Sequence, residues 1–534
     1  MSTHDALLAP FATPLDEQLA DWAARYGDST ALVDRHHCLS YRALNERADI
    51  AARHLHTLGI VPGDHVLLQL PNSADFVIVL FALLRLGALP ILIVPSLRER
   101  DLLPLLEATQ PTAYVMETAQ HRAQAETFRT HCPALRLVIG QGDSTDMPFD
   151  PANDSASDDP TVHALSSLNA PCAQPLPSLQ RSGFDTAVLL LSGGTTGVPK
   201  LIPRTHADYS YNFRTSAKVC GMDERSVYLA ILPIAHNFPL ACPGLLGALS
   251  QGGRVVLSDT ASSDEAMPLI ASQRVTHLAL VPALARLWQQ AREWEDSDLS
   301  SLTVMQVGGA PLDPHSAEAL SRTFSCALQQ VFGMAEGLLC YTRLDDDDDT
   351  CYATQGRPLS CHDEIRIVDE QERPVPTGHI GQLLTRGPYT ITGYYRAPAA
   401  SAQSFTADGF YRTGDLASCD ARGYVRVKGR LKEQINRAGE KIAAASVETG
   451  LKQLPGIEDA VVVAVPDVLL GERICAVLMT SAPLPPLPEL RHALAGYGLS
   501  GHSLPDQLIA VAHWPLTAVG KIDRQALIRQ ALIR

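Results

Sequence analysis

The run FVIVLFALLRLGALPILIV, at 76–94, constrains the chain more than any other stretch. Its length would suit a membrane-spanning helix, which needs roughly 20 apolar residues. Arg85, Gly87 and Pro90 interrupt it, however. A charge, a glycine able to end a helix and a proline in close succession predict a buried helix through Leu86, a turn, and a short buried strand at 89–94. A helix followed at once by a fully apolar strand is the unit of a parallel sheet covered by helices, so the pattern predicts α/β packing and no membrane segment.

Similar strand-like runs recur at 187–192, 254–258, 276–282 and 303–309, separated by stretches long enough for helices. With 534 residues, 46% of them hydrophobic and 19% charged, the chain exceeds one ordinary core and has the apolar content to fill at least two. Near the C-terminus the texture changes to a helix-like segment at 445–454 and clean strands at 460–466 and 474–479. The fold expected is therefore α/β: a large N-terminal domain of layered α/β subdomains, 1–431, and a small C-terminal α+β domain, 432–534. The Asp-, Ser- and Pro-rich stretch at 142–178 reads as a solvated excursion, and the aspartates at 345–349 as a solvated loop in preference to a metal site.

A formal net charge of −15 argues against nucleic acid or an anionic membrane as the main partner. The 11 cysteines lack C-x-x-C pairs, so neither a zinc site nor a disulfide framework is implied. The N-terminus has no basic region followed by a continuous apolar core, and the cytoplasm is the expected location.

The stretch LLLSGGTTGVPK, at 189–200, carries the richest chemical signal. Ser192, Gly193, Gly194, Thr195, Thr196, Gly197 and Lys200 supply small residues, hydroxyls and a cation, which suit close approach of backbone to an anion. The P-loop pattern is not met: Val198 and Pro199 separate Gly197 from Lys200, and Leu201 follows where a hydroxyl is required. One glycine-rich loop is weak by itself. Six further blocks follow it in order: HNFPLACPG at 236–244, VGGAPL at 307–312, QVFGMAEG at 330–337, YRTGDL at 411–416, GRLKEQINRAGEKI at 429–442 and PLTAVGKIDR at 515–524.

With these blocks the chain resembles, over nearly its whole length, the adenylate-forming superfamily of acyl-CoA synthetases, luciferases and peptide-synthetase adenylation domains. The resemblance implies ATP and Mg²⁺ as cofactors and attack of a carboxylate on the α-phosphorus of ATP, with pyrophosphate leaving. A carboxylate is already ionised at neutral pH, so such a reaction depends on positioning and charge neutralisation. By resemblance, the 192–200 loop holds the β- and γ-phosphates, and Glu336 helps hold Mg²⁺. Gly309, Ala310, Pro311 and Val331 line the adenine, and Asp415 and Arg430 bind the ribose. Ala335 stands where many members have threonine, a departure shared by the aryl-acid branch. Lys521 matches the lysine that bridges substrate carboxylate and α-phosphate. Lys432 matches a hinge about which a mobile small domain rotates, withdrawing Lys521 and bringing the 436–441 loop in for thiol transfer.

Amino-acid-activating relatives have an aspartate for the substrate ammonium where this chain has His236 and Asn237. An amino acid is disfavoured, since its buried ammonium would lack a partner. HNFPLACPG with GMAEGLL instead resembles the stand-alone aryl-acid ligases of siderophore pathways, which activate 2,3-dihydroxybenzoate or salicylate. The resemblance places Asn237 at the ortho hydroxyl and Phe238 on the ring, adds Gly308 to the substrate contacts, and counts His236 with the catalytic groups, a packed core histidine being the alternative. Cys242 and Leu339 stand where dihydroxybenzoate-activating members tend to have serine and valine. A thiol partners a buried 3-hydroxyl poorly and leucine narrows the space, which places salicylate ahead of 2,3-dihydroxybenzoate. The acceptor implied is the phosphopantetheine arm of an aryl carrier protein, with coenzyme A as the alternative. Ser503 lies where relatives often carry lysine, near the segment implied in carrier docking.

Overall fold

Ser73 and Gly87 decide the fate of the long apolar run. The Ser73 side chain accepts a hydrogen bond from the Phe76 amide at 3.3 Å and caps the helix Ala74–Leu86. Gly87 ends that helix at a φ of 74°, a left-handed conformation that glycine adopts without penalty. The chain then enters the strand Leu89–Leu92, and Ile93 still donates to the Leu68 carbonyl at 3.0 Å. Helix and turn thus fall where the sequence placed them, and the strand begins at the expected residue but ends two residues short of Val94. No helix among the described residues is long and apolar enough to cross a membrane.

The computed structural model describes residues 3–141, 162–192, 200–437, 440–467, 469–480, 483–497, 499, 501–517 and 521–533. Among these, Leu89–Leu92 lies inside a seven-stranded sheet, between His65–Gln69 and Thr186–Leu191. The sheet is parallel except for its last pair, Thr186–Leu191 with Leu201–Thr205, which run antiparallel as a hairpin. A second, nine-stranded sheet contains three of the other expected strands, Arg254–Leu257, His277–Leu280 and Val304–Gly308, and places Val227–Ala230, which the sequence reading did not single out, between the first two. Its central strands are parallel and buried on both faces, which is why they read as continuous apolar runs. Trp288 anchors one covering helix, Pro282–Ala291, against Leu278, Leu280 and Met305.

The chain forms two compact units: residues 1–364 with 386–409, and residues 365–385 with 410–534. The second contains a four-stranded sheet, in which Tyr411–Cys419 runs antiparallel to both its neighbours, and a five-stranded sheet built around the paired strands Asp459–Asp467 and Gly471–Met479. The helix Ala444–Lys452 packs on that second sheet through Val447 and Leu451. Lys432 falls in the second unit, within the single turn Leu431–Glu433.

Two expectations about loops are corrected. Part of the 142–178 excursion lies outside the described residues, but Val162–Ala164 is the edge strand of the seven-stranded sheet, and Leu165 and Leu168 after it are buried. In the aspartate run, Asp347 caps the short helix Asp348–Ala353 by accepting from the Thr350 amide at 2.7 Å. Carboxylates at a helix N-terminus offset its dipole, so like charges in sequence mark a helix start here.

Candidate active site

The hairpin Thr186–Leu191 and Leu201–Thr205 positions the anion-loop candidate. Leu191 pairs with Leu201, so residues 192–200 form the connection. Its ends close on each other: the Ser192 amide donates to the Lys200 carbonyl, and the Lys200 amide to Ser192 Oγ, both at 2.9 Å. Gly193, Gly194, Thr195, Thr196 and Gly197 lie outside the described residues. Lys200 projects its ammonium over the Tyr394 ring, 4.5 Å from the centroid. The Tyr394 hydroxyl donates to Glu336 Oε1 at 3.0 Å. The structure therefore links the lysine at the loop's end to the expected metal-binding carboxylate through one tyrosine that sequence reading missed. Glu336 is buried, and its backbone carbonyl is fixed by the Ile391 amide at 2.8 Å. A carboxylate held in this way fits a hard cation such as Mg²⁺.

Arg204, also missed, ties this region to the expected substrate pocket. Its side chain is fully buried. Nε donates to Asp208 Oδ1 at 2.8 Å, Nη1 donates to the Ala335 carbonyl at 2.9 Å, and the guanidinium lies 4.8 Å from the Tyr209 ring centroid. Asp208 is set by a capping box with Thr205 at the start of the helix His206–Val219. The T-x-x-D signature of that box is present in PRTHADY and is the signal that finds this pair. At Ala335, where a threonine hydroxyl is absent, the backbone carbonyl is engaged instead.

The pocket candidates converge from three elements. His236 caps the short helix Asn237–Ala241, its Nδ1 accepting from the Phe238 amide at 3.3 Å. Asn237 Oδ1 accepts from the Tyr209 hydroxyl at 2.9 Å, and Asn237 Nδ2 donates to Cys242 Sγ at 3.3 Å. Burial pushes the Cys242 thiol up to about 12, so it is neutral. Gly308 ends the strand Val304–Gly308 beside Val331; a Cβ there would lie 2.6 Å from the Val331 carbonyl oxygen and 3.1 Å from Phe238 Cζ. Phe238, Gly308 and Val331 are thus gathered at one place, which requires glycine. Gly309, Ala310 and Pro311 follow as an exposed turn, with Gly309 at a φ of 87°.

Leu339 is buried and begins the strand Leu339–Tyr341, paired with Gly333. Its amide donates to the Tyr389 hydroxyl at 3.1 Å, and that hydroxyl donates to Asp363 Oδ2 at 2.6 Å. Asp363 Oδ2 also accepts from the Ser360 amide at 3.0 Å, whereas Oδ1 is buried without a partner among the described residues. Burial raises the Asp363 carboxyl to about 7.

In the second unit, Asp415 and Arg430 face each other across paired strands, with Arg430 Nε 2.9 Å from Asp415 Oδ1. Asp415 is buried, and burial raises its pKa while Arg430 and Lys521 act in the opposite direction. Lys521 is therefore close enough to Asp415 to be felt electrostatically. Its backbone is tied to Thr517 in both directions, the Lys521 amide donating to Thr517 Oγ1 at 3.1 Å and the Thr517 amide to the Lys521 carbonyl at 2.6 Å. Lys432 lies one residue beyond Leu431, in the turn that follows the Arg430 strand.

A family profile described as AMP-binding enzyme matches residues 19–395, and the chain belongs to that family. It is an adenylate-forming ligase that uses ATP. The chain is 45% identical to the 2,3-dihydroxybenzoate-AMP ligase of Bacillus subtilis (strain 168), covering 96% of this chain and 93% of that protein. It is 44% identical to the salicyl-AMP ligase / salicyl-S-ArCP synthetase of Mycobacterium tuberculosis, covering 97% and 90% respectively. An apo structure of Mycobacterium smegmatis MbtA superposes with a TM-score of 0.74 at 43% identity, covering 98% of this chain and 96% of that one.

The Asp363 network generates a pH dependence. Unfolded, this carboxyl titrates near its ordinary value of about 4; folded, it keeps its proton to about 7. The stabilising contribution of the protonated form is complete below about pH 4 and is lost as pH rises to about 7. Relative to Asp363→Asn, the native chain should lose stability on the order of a few kcal/mol across that interval. Urea unfolding of both proteins from pH 4 to pH 8 checks this, and parallel stability profiles would contradict it.

Proposed function

We propose that the chain activates an aryl carboxylic acid, salicylate ahead of 2,3-dihydroxybenzoate, as its acyl-adenylate. It then passes the aryl group to the phosphopantetheine thiol of an aryl carrier protein in siderophore biosynthesis in the cytoplasm. The observation that carries the substrate class is the wall formed by Asn237 and the neutral Cys242 thiol, with no acidic side chain at 236 or 237 to receive an ammonium. Identity of about 45% with aryl-acid ligases over nearly the full chain supports the reading.

In the proposed reaction an oxygen of the substrate carboxylate forms a bond to the α-phosphorus as the bond to the bridging oxygen breaks and pyrophosphate leaves. No proton moves, so the protein's part is to align and to neutralise. The 192–200 connection holds the departing phosphates, Asp415 and Arg430 hold the ribose, and Gly309, Ala310, Pro311 and Val331 flank the adenine. Glu336 would hold Mg²⁺, which when bound would supply charge neutralisation on the phosphates. Lys521, carried by a small domain from 432 onward that hinges at Lys432, places a point charge between the carboxylate and the α-phosphate. The thiol then attacks the acyl carbon and AMP leaves. Coenzyme A is the alternative acceptor, recognised by release of a free aryl-CoA.

Two outcomes test this assignment. Lys521→Ala should slow formation of aryl-AMP in single-turnover assays by at least about a hundredfold, the scale on which a positioned charge acts, with nucleotide affinity changed far less; a near-native rate would remove Lys521 from the reaction. Cys242→Ser combined with Leu339→Val should raise use of 2,3-dihydroxybenzoate relative to salicylate about tenfold, because the new hydroxyl partners the 3-hydroxyl. An unchanged ratio of kcat/KM values would refute the basis for preferring salicylate.

A further inference from the structure

The side-chain amide of Asn237 has two possible orientations, and its neighbours select one. The Tyr209 hydroxyl lies 2.9 Å from Asn237 Oδ1, and both groups are buried. Burial holds the Tyr209 phenol well above its ordinary range, so the oxygen keeps its hydrogen. A buried O–H requires an acceptor, which the amide oxygen supplies; with the amide turned over, an NH₂ group would meet that hydrogen. Tyr209 is itself fixed in the first turn of the helix His206–Val219, its ring 4.8 Å from the Arg204 guanidinium that Asp208 tethers.

Asn237 therefore presents Nδ2 on the side away from Tyr209. One of its hydrogens goes to Cys242 Sγ at 3.3 Å, and the thiol hydrogen is engaged by the Asn237 carbonyl at 3.4 Å. Nδ2 carries a second N–H, and the aryl-acid reading sets the ortho group of the substrate against it. The geometry points to Tyr209 as the positioning residue that sets the chemistry of the ortho substituent: by locking the Asn237 amide with its N–H groups outward, it admits aryl acids whose ortho group accepts a hydrogen bond and rejects those whose ortho group donates one. This inference rests on the aryl-acid reading of the pocket.

The distinction separates two acids of nearly equal size. In 2-hydroxybenzoate the hydroxyl hydrogen bonds to the molecule's own carboxylate, so the oxygen turns its lone pairs outward toward Nδ2. In 2-aminobenzoate one N–H makes that internal bond and the other points outward, donor against donor, while the nitrogen lone pair is delocalised into the ring. A pocket discriminating on this basis works through an unsatisfied donor, the kind of mismatch that polar sites reject most strongly.

The test is acid-dependent pyrophosphate exchange by the full chain with 2-hydroxybenzoate, 2-aminobenzoate and benzoate, in the native protein and in Tyr209→Phe. In the native protein, kcat/KM for 2-aminobenzoate should be at least about tenfold below that for 2-hydroxybenzoate, and below that for benzoate, which has no group to clash. Tyr209→Phe removes the hydrogen that fixes the amide, so Asn237 can turn its oxygen to the substrate; the amino-to-hydroxy ratio of specificity constants should rise about tenfold. A purely structural role would lower both constants by one factor and leave the ratio unchanged, which overturns the inference. Equal native use of the two ortho acids also overturns it, without needing a folded variant. Failure of the native protein to use any of the three benzoates would be distinguishable, because it contradicts the aryl-acid reading as well.

Discussion

A single buried guanidinium organises the large unit. Arg204 is fully enclosed, and its charge is answered by Asp208 at 2.8 Å, the Ala335 carbonyl at 2.9 Å and the face of Tyr209. Removing one partner of such a buried pair typically costs about 3–5 kcal/mol, because the other charge is left uncompensated. The three contacts therefore define one arrangement of a strand, a helix start and a turn. Along one branch the arrangement fixes the backbone just before Glu336, which Tyr394 connects to Lys200. Along the other, Tyr209 orients Asn237. The residues proposed for the phosphate end and those proposed for substrate recognition thus share one support.

That arrangement suits an acidic chain whose proposed substrates are anions. With a net charge of −15, a general positive field is absent, and cations act only where geometry holds them. Lys200 is held on an aromatic face in the first unit, and Arg430 stands 2.9 Å from buried Asp415 in the second. Since the proposed nucleophile arrives ionised, fixed charges and dipoles can supply most of what the reaction requires.

Much of the fold was legible in the chain, for identifiable reasons. Gly87 and Pro90 punctuate the apolar run so strongly that the helix and strand on either side follow directly, and the buried parallel strands announce themselves as short apolar runs. The misread segments were short and polar: the strand at 162–164 is set by a sheet edge remote in sequence, and the aspartates at 347–349 by a helix that Asp347 caps and Asp348 and Asp349 begin. In the site, Asn237, Phe238, Gly308 and Glu336 sit in motifs recognisable one by one. Arg204, Tyr209, Tyr389, Asp363 and Tyr394 escaped notice because each acts through a partner far along the chain. Tyr394 meets Glu336 58 residues away, and Arg204 meets Ala335 131 residues away. Local patterns carry no trace of such pairs, whereas the i,i+4 bond from Arg204 to Asp208 was within reach.

Exchange of labelled pyrophosphate into ATP reports directly whether this chain adenylates an aryl acid. Salicylate, 2,3-dihydroxybenzoate, a fatty acid and a mixture of amino acids would be compared on the native protein. Strong exchange is expected with salicylate, weaker exchange with 2,3-dihydroxybenzoate and none above background with the others. Exchange supported only by amino acids or the fatty acid would contradict the aryl-acid assignment.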